Sequence, residues 1–484
     1  MKNLILYGPP GTGKTRRLLK YIDEFMKDQP GRVLFCSHTR AAAQEAISRW
    51  SDNLFSARID IQTLHSVCFK ALKLSKAQTV DFDKLTAFGH EFGIDMTDDG
   101  LGKEFNDVLS LARAKCITPD EGYERSWRPG TASHFSAFAQ SYQQWKNAYG
   151  YMDFNDMLDF GAARITCPMV NYALVVIDEA QDLTPLHWKV IYRMVKLLPR
   201  VRFLIAGDDD QALYSFAGAD PAGMPDFGNR TDAESQVLSQ SYRITQQVYD
   251  VARAIIARVR ARVPKDYAPR TGLDGRPAQG KYEVWPNMDY LQIDPTRDSL
   301  LLYADRFVRG EVEPLLQENG INYKALNGYP SPLDSRAGRA LKVIHTHTDD
   351  EILDYDSDLR PQVRGGLSAR GQGAWDNVSE HEVLARIRRH DWSVLAIKPQ
   401  NIDYLRSVNY SKPQNLRIST MHGAKGLQGD DVHLILSLSP RAWAEAAVEP
   451  DHLHRLLYTA VTRTRENLYL YDGENGYELP SEFR

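Results

Sequence analysis

A chain of 484 residues is too long for one ordinary hydrophobic core, so about two to four domains are expected. Its 43% hydrophobic and 25% charged residues fit a globular protein, and a net charge of −4 excludes a globally basic field, so any nucleic-acid contact must be built from locally placed groups. Four dispersed cysteines without a CxxC pair argue against disulfides, zinc and iron–sulfur clusters, and the lack of a signal peptide or long apolar span predicts a cytoplasmic protein (host cytoplasm, if phage-encoded) with no membrane partner.

The apolar run Leu4-Ile5-Leu6-Tyr7 leads into Gly8-Pro9-Pro10-Gly11-Thr12-Gly13-Lys14-Thr15, and a helical pattern follows from Arg16 to Lys27. Strand, glycine-rich loop and helix are the context of a phosphate-binding loop. The glycines let backbone N–H groups curl round the β- and γ-phosphates, Lys14 can reach the same oxygens, Thr15 can ligate Mg²⁺, and the helix N-terminus adds its positive dipole end. Arg32 to Cys36 reads as a second buried strand. After it, Ser37-His38-Thr39-Arg40 caps a helix from Ala41 to Trp50, with small polar residues and an arginine suited to backbone phosphates. His38 is placed either to stack on a base or to serve a structural role. Ile59 to Gln62 with Thr63-Leu64-His65-Ser66 repeats the theme before a helix from Val67 to Leu74.

From Lys76 to Tyr149 helical periodicity replaces β-type runs, which predicts a helical insertion over Val67 to Gly150. Its last helix, Phe135 to Ala148, carries Tyr142 and Trp145 at i, i+3, a spacing that favours packing. Ala173 to Ile177 is a continuous apolar run ending in Asp178 and Glu179, as expected of a central parallel strand with ligand groups at its C-terminal end. Asp178 fits holding Mg²⁺ through water, and Glu179 fits orienting or deprotonating the attacking water. Val201 to Ala206 is a similar strand, followed by Gly207-Asp208-Asp209-Asp210-Gln211, where Gln211 is placed to sense the γ-phosphate. Tyr214 and Phe216 follow within five residues and serve either as a base platform or as packing.

A second block is expected from Glu234: a basic helix ending near Arg262, a Pro/Gly-rich loop from Ala268 to Gly280, and a strand at Leu300 to Tyr303. The helix Ser335 to His345, the acidic stretch Asp349 to Asp358 and the Gly/Arg/Ser-rich loop Arg364 to Gly373 read as a small polar subdomain. Strands return at Leu416 to Thr420 and Val432 to Leu436, then a helix from Leu453 to Thr464 and a strand at Leu468 to Tyr471.

In this order the blocks resemble the UvrD/Rep/PcrA-type superfamily 1 DNA helicases nearly end to end. The P-loop is similar to motif I, Ser37–Ala43 to motif Ia, Thr63–Ser66 to motif Ib, and Asp178-Glu179-Ala180-Gln181-Asp182 to motif II. Gly207–Asp220 resembles motif III, Gln240–Arg243 motif IV, Ser419–Gln428 motif V, and Tyr458–Arg465 motif VI. The resemblance implies two RecA-like α/β motor domains with parallel sheets, each with an inserted subdomain, and ATP in the cleft between them. The expected boundaries are 1–66 and 151–233 for the first motor around the helical insertion 67–150, and 234–347 and 409–484 for the second around a short insertion 348–408. It further implies Arg243 and Arg463 as arginine fingers from the second motor, Tyr242 stacked on adenine with Arg16 nearby, and Lys425 and Gln428 coupling nucleotide to DNA. Single-stranded DNA is implied to cross both motors over His38, Thr39, Thr63, His65, Phe216, Thr420 and His422, with translocation 3′ to 5′.

The chain departs from the family pattern in four places. No glutamine-bearing stretch precedes the first strand, which predicts loose base selectivity. Gln428 stands for the usual glutamate, and Ala217 for an arginine often found there. The short 348–408 insertion makes duplex unwinding less expected than translocation. The leading expectation is an ATP- and Mg²⁺-dependent 3′–5′ helicase acting at single-strand/duplex junctions, with a loading or accessory protein as a further partner. The alternatives are a translocase that strips proteins from a strand and a nucleotide-switched binding module. The stacking residues suit DNA and RNA alike.

Overall fold

The computed structural model describes residues 2–37, 58–165, 172–326, 331–334, 404–405, 408, 415–473 and 475–484. The expected helix Ala41–Trp50, His38, Thr39 and Arg40, and nearly all of 348–408 lie outside the described residues. The chain divides into two compact units, residues 1–243 with 258–270, and residues 244–257 with 271–484.

The first unit is built on a six-stranded, wholly parallel sheet ordered β3-β2-β4-β5-β1-β6. Its strands are β1 (Leu4–Tyr7), β2 (Arg32–Ser37), β3 (Ile59–Gln62), β4 (Tyr172–Asp178), β5 (Arg202–Gly207) and β6 (Glu234–Val237). Side chains alternate across a strand, and the alternation sorts the core into two layers. Leu4, Leu6, Val33, Phe35, Leu174, Val176, Leu204 and Ala206 face α1 (Lys14–Asp28), which buries Leu18, Ile22 and Met26 against them. Ile5, Leu34, Val175, Ile177, Phe203 and Ile205 face the opposite layer. That layer holds α2 (Leu64–Ala71) and, further along the chain, three helices introduced below.

Between β3 and β4 the described chain is helical. After α2 come α3 (Phe82–Phe92), α4 (Leu101–Ala114), α5 (Pro119–Glu124) and α6 (Ala132–Tyr149). These four share an aromatic core of their own, in which Phe88, Phe105, Tyr123, Phe135, Phe138, Tyr142 and Trp145 are each at most 5% exposed. Tyr142 and Trp145 therefore pack, as their spacing predicts. The helical body begins later than the expected residue 67: Val67 and Cys68 of α2 lie in the core under the main sheet, because Thr63 caps α2 and starts it at Leu64. Reciprocal backbone bonds join the body's entry and exit, Val80 N–H to the Met152 carbonyl (3.0 Å) and Met152 N–H to the Gln78 carbonyl (2.8 Å). The chain then returns through α7 (Phe154–Arg164), α8 (Pro185–Leu197) and α9 (Gly223–Thr231). These complete the second layer of the main core.

Strand β6 corrects the expected boundary at residue 234. Its residues 234–237 pair with Leu4–Tyr7 of β1, so this polar edge strand closes the first sheet instead of opening the second. The helix expected to reach Arg262 is shorter: α10 spans Gln246–Ile256 in the second unit, and the chain then re-enters the first unit from Arg258 to Arg270.

The second unit is also a six-stranded, wholly parallel sheet, ordered β7-β12-β11-β8-β10-β9. It contains β7 (Tyr282–Trp285), β8 (Ser299–Tyr303), α11 (Arg306–Glu318), β9 (Tyr323–Ala325), β10 (Leu416–Thr420) and β11 (Gly429–Ile435). The helices α12 (Pro440–Val448) and α13 (Pro450–Val461) follow, and β12 (Thr464–Tyr471) returns to the sheet. Helix α13 lies against α10. Two parallel α/β sheets of this kind are the architecture of paired RecA-like folds, in which functional groups gather at the C-terminal ends of the strands.

Candidate nucleotide and nucleic-acid sites

Every nucleotide-site residue predicted from the P-loop and from motifs II and III sits at the C-terminal end of a strand in the first sheet, the edge where open α/β sheets bind ligands. The loop after β1 is anchored by the Gly8 N–H bond to the Gly207 carbonyl (2.9 Å) and closed by Thr12, whose hydroxyl donates to the Pro9 carbonyl at 2.7 Å. Gly11 and Gly13 have φ of 72° and 74°, a left-handed backbone open to glycine. Gly13 is the N-cap of α1 and carries no capping side chain, so the first-turn N–H groups of Lys14 and Thr15 stay available to an anion.

Lys14 is poised over two carboxylates. Its Nζ donates to Glu179 Oε1 at 2.5 Å and lies 3.6 Å from Asp178 Oδ1. Burial opposes the ammonium, but Glu179 and Asp178 outweigh it and hold the Lys14 pKa above the ordinary lysine range. Asp178 is itself pushed up to about 6 by burial, with Lys14 pulling the other way and Glu179 adding repulsion. Glu179 has left-handed backbone at φ 55°, which is uncommon for a residue with a side chain. A hydroxyl and a carboxylate are the hard oxygen donors Mg²⁺ prefers, so Thr15 and Asp178 fit that ion.

Gln181, to which the sequence reading gave no individual role, joins this group to the next strand. Its Nε2 donates to Glu179 Oε2 (2.6 Å), and its Oε1 accepts the backbone N–H of Asp208 (3.0 Å). The residue is 1% exposed, and a Cβ at Gly207 would come within 2.4 Å of Oε1, so the glycine after β5 makes room for the bridge. Asp208 in turn accepts the side-chain amide of Gln211 at 2.5 Å. Lys14, Glu179, Gln181, Asp208 and Gln211 thus form one continuous line of polar contacts. The signal for Gln181 lay in its position inside the Asp178–Asp182 motif. Its bridging partner could not be read before the register of β4 against β5 was known.

The segment after β6 docks on the P-loop. Ser241 donates its hydroxyl to the Pro10 carbonyl (2.8 Å), and the Tyr242 N–H donates to the Gly11 carbonyl (2.8 Å). A Cβ at Gly11 would lie 2.4 Å from Cβ of Arg243, so the approach requires glycine there. Tyr242 is 71% exposed, with its ring edge 4.0 Å from where a Cβ of Gly13 would stand. Arg16 is exposed in the first turn of α1. Arg243 corrects one expectation: it belongs to the same compact unit as the P-loop, not to the second unit, because the chain crosses only after it.

Among the predicted nucleic-acid contacts, Thr63 caps α2 by accepting the Ser66 N–H (3.2 Å). His65 lies edge-on to Phe154 (5.4 Å) and His187 (5.1 Å). His187 is fixed by Thr184 (2.7 Å), and Thr184 also stands 3.6 Å from where a Cβ of Gly218 would be, so the Phe216 turn and the start of α2 share one scaffold. Phe216 is 60% exposed, with the Tyr214 ring 6.0 Å away at a steep angle.

In the second unit, Thr420 ends β10, and His422, Lys425 and Gln428 follow in the connection to β11. Thr420 Oγ1 accepts the Gly423 N–H (3.1 Å), His422 Nε2 is 3.3 Å from His452 Nε2, and Arg417 donates to the Gln428 carbonyl (2.7 Å). Arg463 is 3% exposed at the end of α13, and its Nε donates to the Thr459 carbonyl (2.9 Å).

Comparison with known proteins agrees with this arrangement. Residues 1–232 match the model of the UvrD/REP helicase N-terminal domain, and residues 415–471 match that of the UvrD-like helicase C-terminal domain, together more than half the chain. The ATP-dependent DNA helicase UvrD2 of Mycobacterium tuberculosis is 25% identical over 95% of this chain and 75% of its own length. A probable DNA helicase II homolog of Mycoplasma capricolum is 27% identical over 53% of this chain and 39% of its own. The ATP-dependent DNA helicase Rep of Buchnera aphidicola is 24% identical over 52% of this chain and 42% of its own. Among the described residues no helix is long and apolar enough to cross a membrane.

Proposed function

Because the chain belongs to the UvrD/Rep-type superfamily 1 helicases, and is thereby an ATP-dependent DNA helicase, we propose that it moves 3′ to 5′ along single-stranded DNA and opens duplex ahead of it. One observation supports the coupling of ATP to movement, with the polarity taken from the family resemblance: the line from Lys14 through Glu179, Gln181 and Asp208 to Gln211 runs into the turn that presents Phe216. A change at the phosphates therefore has a short, partly buried path to an exposed aromatic ring suited to base stacking.

The proposed roles follow from the chemistry of each group. The P-loop backbone and Lys14 hold the β- and γ-phosphates, with Tyr242 and Arg16 beside the base. Thr15 and Asp178 hold Mg²⁺, which when bound neutralises charge on the phosphates. When Lys14 turns to the phosphates, Gln181 retains the other Glu179 oxygen, and Glu179 stays aimed at the attacking water as general base. Gln211 reports the γ-phosphate, and Arg243 supplies positive charge from the same unit. Arg463 of the second unit is the proposed arginine finger, which acts on charge that develops in the transition state. Thr63, His65, Tyr214 and Phe216 in the first unit, and Thr420, His422 and Lys425 in the second, are the proposed DNA contacts, with Lys425 and Gln428 coupling the two ligands.

Steady-state ATP hydrolysis with and without oligo-dT tests the proposal. Strong stimulation by the single strand is expected. A rate indifferent to nucleic acid would overturn the motor reading.

A further inference from the structure

The return of the chain to the first unit has a chemical purpose that the hydrolytic residues alone do not explain. Asp208, Asp209 and Asp210 are consecutive, follow β5 directly, and are 0%, 2% and 1% exposed. Three buried carboxylates in a row repel one another, and their burial is costly unless cations are placed among them. The strap of residues 258–270 brings two. Lys265 Nζ lies 3.2 Å from Asp208, 2.6 Å from Asp209 and 2.9 Å from Asp210, with its side chain 0% exposed. Arg262 grips Asp210 with Nε at 2.8 Å and Nη2 at 2.6 Å, and the Val263 N–H donates to Asp209 at 2.8 Å.

We propose that Lys265 is a positioning residue for ATP hydrolysis, its ammonium holding the Asp208–Gln211 turn in the shape that hydrolysis requires. The inference rests on the role given above to Gln211. The link is direct: the Asp208 carboxylate that Lys265 neutralises is the one that accepts the Gln211 amide, and its backbone N–H is held by Gln181. Burial pushes Asp208 up to about 6; Lys265 lowers it, Asp210 and Asp209 raise it, and the Gln211 bond lowers it again. Removing the cation raises it further, and a protonated Asp208 is a poorer acceptor for Gln211. Lys265 itself is disfavoured by burial but held above the ordinary lysine range by Asp208, Asp210 and Asp209. The strap continues at both ends into segments of the second unit, residues 244–257 and 271 onward. Displacement of those segments therefore has a covalent route to the turn that carries Gln211.

The test compares wild type with Lys265→Met, with Lys265→Met/Asp209→Asn and with Arg262→Gln. It reads affinity for a fluorescent ATP analogue, kcat and KM for ATP, the pH profile of kcat and the melting temperature. Lys265→Met is expected to bind nucleotide within about threefold of wild type and to lose roughly tenfold in kcat, equivalent to about 1.4 kcal/mol on the barrier. Its kcat rises with pH along a limb displaced upward, because Asp208 ionises later. Adding Asp209→Asn removes one buried negative charge, keeps an oxygen for the Val263 N–H, and is expected to restore most of kcat. Should Lys265→Met fail to fold, Arg262→Gln, at the more accessible cation, is read in its place, with lowered kcat at unchanged KM expected. A folded Lys265→Met or Arg262→Gln with wild-type kcat and only a lower melting temperature overturns the proposal, as does a kcat loss that Asp209→Asn leaves unrepaired. A wild type without ATPase would instead refute the motor reading.

Discussion

Replacing Gln181 by methionine removes the bridge between Glu179 and Asp208 at nearly constant volume, so the change is felt in hydrogen bonding more than in packing. Two bonds are lost. The first is donated to an ionised carboxylate at 2.6 Å, and the second satisfies the backbone N–H of Asp208, a residue 0% exposed. The first is worth about 1.5–3 kcal/mol, and stranding the buried N–H costs about 1–3 kcal/mol more. The N–H term acts on the folded protein in every state and shows as a lower melting temperature. The Glu179 term matters most when Lys14 is engaged by phosphate, so it falls on the chemical step. Expressed there in full, it lowers kcat roughly 10- to 100-fold with KM for ATP little changed. Steady-state ATPase on saturating oligo-dT, with nucleotide affinity measured separately, reads both numbers. A folded, ATP-binding Gln181→Met with kcat within about twofold of wild type would refute the reasoning, because Glu179 would then be aimed without the bridge.

Further outcomes follow from the same contacts. Lys14→Ala is expected to abolish turnover, checked by ATPase; near-wild-type activity would remove the P-loop assignment. Phe216→Ala is expected to impair translocation on single-stranded DNA more than basal ATPase, and unchanged stepping in a stopped-flow translocation assay would reduce Phe216 to packing. Lys146 is 1% exposed with Asp153 at 2.6 Å and Asp156 at 2.5 Å, and Arg113 shares both carboxylates. Lys146→Met is therefore expected to destabilise the junction of the helical body by about 3–5 kcal/mol in a denaturant titration. The pH dependence has a definite sign. Burial raises Asp153, but Lys146 and Arg113 win and hold it below the usual carboxylate range, so its stabilisation is present above about pH 4 and fades as pH falls through the depressed value. The stabilities of wild type and Lys146→Met should converge in acid; a constant gap would contradict the ion-pair account.

The residues legible in the sequence are those whose chemistry is local. The P-loop announces itself because glycines, Lys14 and Thr15 must be contiguous to wrap a phosphate. Asp178 and Glu179 stand out because they close a buried strand in a chain that also carries a phosphate-binding loop. What the sequence withholds depends on the chain meeting itself again. Lys265 reads as one more charge in a basic stretch until the strap is seen to carry it into Asp208–Asp210. Glu234–Gln236 are polar and exposed, so nothing in their composition says that this strand pairs with β1 and not with a later strand. The assignment of Arg243 to the second unit fails for the same reason, since the crossing point is fixed by where Ser241 and Tyr242 bond to the P-loop. Strands β7 and β9 are short and flank the sheet at its edges, and neither has the apolar run that marks β4 or β8.

The central claim, a directional motor on single-stranded DNA, is tested most directly by unwinding of duplexes that carry a 3′ or a 5′ single-stranded tail, in the presence of ATP and Mg²⁺. The account predicts strand separation of the 3′-tailed substrate alone, lost in Lys14→Ala. Preference for the 5′ tail, or equal unwinding of both, would contradict it.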